Sequence, residues 1–457
     1  MSITRFQTAA GLVSVLLGGV LALPRAGAAN PSFPLLRYRL QVGQELLYSG
    51  GSEFKYEGSQ SAEKSTWRVW VVRQNKEGDW RLVIRQGISY PRAAGDGKAQ
   101  AVPEFVIFSY CDIQPNGRME ENDSFGFRQM LSKLLPPLPE NEDQARRGWT
   151  VKETRLEETL RCRLLPESAG AESRGVEVVR DAPLSIINGY AAKDIVTFDT
   201  QRGLPEKIVS QTRTFKGKAE GVIKLDEIKT HDADWARRID ADAERYFAAR
   251  QAYEKATGRP KTAADLTAAL DKAAANLKAT RAELQLPDFQ KQLDEMISRH
   301  DYNAKRTLEN AKKWGEVVGK PAAEWSTTDF DGKAHALQDY RGKVVILDFW
   351  HRHCGWCIRS MPQMKQIAEY FEDKPVVVFG MNNDSKEEDA KFVIDKMALN
   401  YRNLKATDLL EKYKVHAFPT LLILDPQGII RDIHVGYSPT LKDDVVRSVE
   451  RLLQTKP

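Results

Sequence analysis

At 457 residues the chain is about three times the usual domain of ~150 residues, so two or three folding units are expected. Its 42% hydrophobic and 29% charged residues are ordinary globular values, which exclude a wholly disordered protein, a collagen and a multi-span membrane protein. The 68 basic and 63 acidic residues nearly balance, with no long block of one sign, so no nucleic-acid partner is expected.

Residues 1–28 read as a signal peptide. Arg5 supplies the positive start, an apolar stretch runs from about Ala9 to Leu23, and Ala26-Gly27-Ala28 is a small-x-small pattern that a signal peptidase cuts after. The alternative is an uncleaved anchor giving membrane association, because the uncharged stretch between Arg5 and Arg25 approaches the ~20 residues of a spanning helix. Gly18, Gly19 and Pro24 weaken that alternative. Either way the bulk of the chain is expected outside the cytoplasm, in the periplasm or cell envelope, where disulfides persist.

Residues 32–230 read as a β-rich domain. Arg37 to Val42, Trp67 to Val72, Trp80 to Ile84, Phe105 to Phe108 and Asp194 to Phe198 are short β-branched or aromatic runs. Turn signals at Ser49-Gly50-Gly51, Glu77-Gly78-Asp79 and Gln201-Arg202-Gly203 separate them, which predicts a curved antiparallel barrel or sandwich. No catalytic constellation stands out here. Cys111 and Cys162 fall in this part, either as a structural disulfide or as two buried free thiols.

Residues 233–318 shift to Ala, Lys, Glu, Arg and Leu, with three helix-length segments broken at Gly258-Arg259-Pro260 and Leu286-Pro287. In the middle one, Thr262 to Asp265 looks like a variant capping box. Leu266, Leu270, Ala273, Leu277, Thr280 and Leu284 then make a coiled-coil-like seam. A helical linker or small bundle that spaces the flanking domains is expected, its seam packed most simply helix on helix.

The chemistry lies in residues 319–457. Lys343 to Trp350 is a near-continuous apolar run, as in a central strand covered on both faces, interrupted by one carboxylate, Asp348. Cys354-Gly355-Trp356-Cys357 follows at once, then a helical pattern with Met361, Met364, Ile367, Ala368 and Phe371 on one face. Cys354 thus starts a helix, where free backbone N–H groups and the helix dipole favour thiolate, the nucleophilic form. Cys357, one turn later, is placed to attack a mixed disulfide at Cys354 and release the product. A structural zinc site needs four ligands and no second C-x-x-C exists, so His351 and His353 are not read as metal ligands.

Further residues carry a family likeness. Gly342-Lys343-Val344-Val345 leads into Asp348-Phe349-Trp350 and the C-G-x-C turn, Pro362 stands five beyond Cys357, and Val415 to Thr420 ends in Phe418-Pro419-Thr420. Leu421 to Leu424, the Asp425 to Gly428 turn and Ile429 to Val435 follow as a hairpin before a helix near Leu441 to Leu453. On these residues the segment from about Gly319 to Pro457 resembles the thioredoxin superfamily, particularly its exported TlpA-like thiol-disulfide oxidoreductases. The resemblance implies an α/β thioredoxin-like domain, with Met381 to Arg402 holding the branch's inserted helix. It implies that Asp348 relays the proton of the second cysteine, and that Pro419 is a cis-proline facing the disulfide. Phe418, Pro419 and Thr420 would then shape the substrate-binding surface. Two positions depart from the family pattern: His353 stands where Trp is usual, and Trp356 where Pro often is. Trp356 is either a substrate contact or a hydrophobic cap over the disulfide.

The expected protein is therefore multidomain and exported: a β-rich N-terminal domain, an α-helical middle segment and a thioredoxin-like domain that exchanges thiols and disulfides. Its partners would be protein thiol or disulfide substrates and an upstream redox partner, with no cofactor. The alternatives are a thiol peroxidase of the same fold, and an envelope binding protein with an accessory redox domain.

Overall fold

The computed structural model describes residues 35–454 apart from 57–58, 94–98, 101–103, 120–127, 154–157, 167–171, 182–190, 215–216, 259–262 and 439. The export signal and the Thr262 capping box lie outside the described residues.

The β-rich part is one ten-stranded antiparallel sheet rather than two packed sheets. From one edge it runs Phe105–Ile113, Trp80–Ser89, Ser59–Gln74, Gln44–Tyr56 and Gly217–Thr230. It continues through Leu204–Thr214, Ala191–Asp199, Ser173–Asp181 and Glu158–Leu164 to Trp149–Glu153. Laid flat, ten strands would span roughly 43 Å at ~4.8 Å per step. Yet Cys111 near one edge and Trp149 at the other belong to a single apolar cluster with Leu46, Leu160 and Ile223, so the sheet curls around its core.

The apolar runs that looked like strands are two-sided. Val69, Val71, Leu82 and Ile84 face that inner core, whereas the alternate residues Trp70, Val72 and Val83, with Phe108, meet the middle helices on the other face. Those helices therefore do more than pack on one another. Leu277 and Leu284 of the expected seam share a cluster with Tyr246, Phe289 and the sheet's Trp70 and Phe108, whose ring lies 4.4 Å from that of Phe289.

Three local expectations differ. Ser49-Gly50-Gly51 is no turn; it lies inside the strand Gln44–Tyr56, which is paired on both sides. A Cβ on Gly50 would stand 2.3 Å from the Val222 carbonyl oxygen, so these glycines answer to close backbone approach. Arg37 to Val42 does alternate, with Tyr38 and Leu40 buried, but its N–H groups bond outside any ladder, Tyr38 to Pro115 and Arg39 to Gly203. The third helical segment is two helices, Pro287–Ser298 and His300–Gly315, parted at Arg299 with neither Gly nor Pro to mark the break.

The C-terminal part holds a five-stranded sheet in the order Arg402–Lys405, Val376–Asn382, Val344–Trp350, Thr420–Leu424, Ile430–Val435. The first three are parallel, and Thr420–Leu424 pairs antiparallel with both of its neighbours. All of Val344–Trp350 is buried. Val344 and Ile346 face the helices Gly355–Tyr370 and Leu441–Gln454, while Val345, Leu347 and Phe349 face Trp325, Tyr413 and Val415. The lead-in chain closes both edges, with Pro321 bridging Ile429 and Asp329 bridging Leu404.

Candidate active site

The strand Val344–Trp350 delivers the chain to the turn His351–His353, and Cys354 then caps the helix Gly355–Tyr370. Cys354 has extended backbone angles (φ −84°, ψ 93°), and its sulfur accepts the Cys357 N–H at 3.0 Å. The two cysteines form a disulfide with Cα atoms 5.2 Å apart. Cys354 is 8% exposed and Cys357 1%, so the first cysteine is the more accessible of the two. When the bond is reduced, the N-terminal dipole and the Cys357 N–H both stabilise charge on Cys354.

Asp348 projects from the same face of its strand as Val344 and Ile346, beneath the helix that carries the cysteines. It is fully enclosed, and burial pushes its carboxyl up to about 7. Tyr401 lies in the same apolar cluster as Val344 and Ile346. Its hydroxyl is buried with no hydrogen-bond partner among the described residues, and burial, then the Asp348 charge, raises its pKa.

The loop after Val415 supplies the opposite wall. The Phe418–Pro419 peptide bond is cis, and Phe418 packs against the cluster that contains both cysteines. Thr420 is buried and its hydroxyl donates to the Ala417 carbonyl at 2.8 Å, while Gly436 N–H donates to the Pro419 carbonyl at 2.8 Å. The His351 ring meets Phe418 edge-on with centroids 4.8 Å apart, and burial lowers the His351 pKa. The structure thus brings Cys354, Cys357 and Phe418 into one cluster, with Pro419 next to it and Thr420 opening the strand Thr420–Leu424.

Trp356 stands apart from them. It is 55% exposed and stacks on Tyr437 at 5.5 Å, with the Arg359 guanidinium 5.3 Å from its ring. An indole so exposed is open to substrate. Tyr437 and Arg352 were not singled out in the sequence, and no local signal marks them, because their partners lie far along the chain. Among the described residues no group of three or more His, Cys, Asp or Glu side chains could hold a metal ion. Cys111 and Cys162, the open pair of the β-rich part, are two buried thiols and not a disulfide.

Residues 318–433 match the AhpC/TSA family. The thioredoxin-like protein YneN of Bacillus subtilis is 35% identical over 131 residues, covering 27% of this chain and 75% of that protein. The chain belongs to the thioredoxin superfamily. Within this superfamily it is also similar to the thiol-disulfide oxidoreductase ResA of Geobacillus kaustophilus, 28% identical over 143 residues, 31% of this chain and 81% of that one. Among solved structures, the thioredoxin domain of a thiol-disulfide oxidoreductase from Bacteroides vulgatus is 28% identical, covering 29% of this chain and 97% of that one, with a TM-score of 0.28. The thioredoxin-like domain at the C-terminus makes this protein a thiol-disulfide oxidoreductase of the ResA- and TlpA-like kind.

Proposed function

We propose that the chain is exported and exchanges disulfides with protein substrates through Cys354-Gly355-Trp356-Cys357. The observation that carries this reading is the asymmetry of the pair, a reachable Cys354 at a helix start and an enclosed Cys357 one turn on, above the enclosed Asp348. In the reducing direction the Cys354 thiolate attacks one sulfur of a substrate disulfide, and the other substrate sulfur leaves as thiolate. Asp348 takes the Cys357 proton, and the Cys357 sulfur attacks Cys354, breaking the mixed disulfide and releasing the second substrate sulfur. Substrate gains two electrons and the domain is left as the Cys354–Cys357 disulfide. An upstream redox partner restores the dithiol, and the reverse sequence oxidises substrate. A carboxyl near neutrality suits Asp348 to give and take this proton.

Half-buried Phe418 faces substrate in this loop, with Pro419 and Thr420 buried behind it and shaping it, and exposed Trp356 offers substrate an aromatic surface beside Cys354. The curled sheet and its helices act on substrate choice or location and leave the chemical step to the C-terminal domain. Trapping tests the reading. Cys357→Ser is expected to accumulate a mixed disulfide with substrate, and Cys354→Ser none. Equal trapping by both variants would remove the assignment, and peroxide consumption without any mixed disulfide would favour a thiol peroxidase.

A further inference from the structure

The helix Glu387–Met397 follows the strand Val376–Asn382 and shares an apolar cluster with the redox pair. Its Ala390, Val393 and Met397, three and four residues apart, are buried in one cluster with Trp350, Cys354, Cys357, Ile358 and Met361. At 11 residues the helix is shorter than the ~12–15 that hold together alone, and its N-cap Lys386 makes no side-chain capping bond. Its position therefore depends on what it packs on and on what ties it there.

Arg352, in the turn between the strand and Cys354, supplies the tie. Its backbone N–H donates to the Asp384 carboxylate at 3.0 and 3.1 Å, which fixes the turn. Its guanidinium donates to Asp389 at 2.5 Å and lies 4.4 Å over the Phe392 ring. Asp389 and Phe392 are one turn apart on the inserted helix, so a single side chain grips it twice. The Arg352 and Asp389 side chains are each 26% exposed, which shields the pair from much of the solvent screening that weakens surface ion pairs.

We propose that Arg352 is a positioning residue for the resolving step. By clamping the inserted helix onto the redox turn it keeps Ala390, Val393 and Met397 packed around Cys357. The enclosed sulfur then stays a neutral thiol until its proton is taken. Apolar burial raises a thiol's pKa, so loosening this wall admits water and eases thiolate formation at Cys357. Cys354, at the helix start, draws its charge stabilisation from the backbone and is affected less. The proposal rests on Cys357 being the resolving cysteine.

The test follows alkylation of the two thiols by iodoacetamide in the reduced full-length chain, read by mass spectrometry across pH. Arg352→Ala keeps the backbone bond to Asp384. It is expected to speed Cys357 alkylation about tenfold near neutrality, its profile moving down by about one pH unit, with Cys354 changed by no more than about twofold. Arg352→Lys retains a cation for Asp389 and loses the planar stack, so it should fall between the two. Should Arg352→Ala not fold, Asp389→Asn is the second variant, with the same expected direction. Unchanged Cys357 alkylation in either folded variant overturns the proposal. Equal acceleration at both cysteines does so too, because that marks general loosening. Alkylation needs no turnover, so this failure is distinguishable from failure of the disulfide-exchange reading, which trapping tests.

Discussion

The indole N–H of Trp350 donates to the side-chain oxygen of Asn403 at 3.0 Å, passing over the bare backbone of Gly380. Gly380 pairs with Asp348 on one side and Asn403 on the other, so the three stand in one row across the sheet beneath the redox helix. A Cβ on Gly380 would stand 1.9 Å from the Asn403 oxygen and 2.8 Å from the Trp350 nitrogen.

The first prediction follows from that contact. Gly380→Ala must expel the Asn403 amide, leaving a buried indole N–H unpaired and crowding the core. Together these are expected to lower the stability of the domain by about 2–4 kcal/mol. Asn403→Ala removes only the acceptor, with an expected loss of about 1–3 kcal/mol. Urea unfolding of the oxidised chain measures both. Wild-type stability in Gly380→Ala would mean the bond does not hold this row together.

Asp348 gives a pH prediction with a definite sign. Its carboxyl sits at about 7 in the folded chain, above the ~3.9 of an unfolded one, so the fold binds this proton more tightly. The associated stability is full below about pH 4 and is lost as pH rises to about 7, in all on the order of 4 kcal/mol. Asp348→Asn cannot ionise, so its stability relative to wild type should grow between about pH 4 and pH 8. The same variant lacks the base for Cys357, and resolution of the mixed disulfide at neutral pH should slow by about a hundredfold. A parallel pH dependence of stability in the two proteins, or an unchanged resolution rate, would return Asp348 to a merely structural role.

The parts of the site legible in the sequence were those whose chemistry is local. The Lys343 to Trp350 run, the cysteine spacing, and the helix starting at Gly355 each follow from neighbours a few residues apart. What stayed hidden pairs residues distant in the chain: Arg352 with Asp389, Trp350 with Asn403, Trp356 with Tyr437. None of these partners has an unusual local pattern. In the β-rich part, period-two alternation located strand residues well, yet it also marked Arg37 to Val42, whose alternate side chains are buried although its backbone joins no ladder. Alternation reports a two-faced environment, and pairing is a separate matter.

Cys111 and Cys162 give a third prediction. Both lie in the inner core of the curled sheet, and burial pushes the Cys162 thiol up to about 12, with Arg180 opposing. Thiols held neutral in apolar surroundings do not react. The oxidised native chain should therefore show no thiol to an aromatic disulfide reagent, and two after unfolding in guanidinium. Rapid labelling of either cysteine in the native chain would contradict this burial.

The last prediction concerns independence of the redox domain. Among the described residues, the three apolar clusters of the C-terminal part draw on Val317 and later residues, whereas those of the sheet and helices stop at Ile297. The exposed pair Lys414–Glu316 reaches across this boundary, and such a surface ion pair is worth little. The true edge of the domain is set by the lead-in chain. Gly319 N–H donates to the Ile430 carbonyl at 2.8 Å, Ile430 N–H to Lys320 at 3.0 Å and Ala322 N–H to Gly428 at 2.8 Å, while Ala322 and Trp325 fill the core under the sheet. A fragment from Val317 keeps all of these and is expected to fold alone, form the Cys354–Cys357 disulfide and reduce a generic disulfide at a rate like that of the full chain. A fragment from Ser326 loses the pairing along Ile430 and the Trp325 side chain, whose removal alone costs about 3–5 kcal/mol, and should be unfolded or nearly so. Circular dichroism and a turnover assay on the two fragments decide it. If the longer fragment is unfolded, or folded but inactive until residues 233–316 are restored, the helices belong to the catalytic unit. A shorter fragment as stable as the longer one would place the domain edge beyond Trp325.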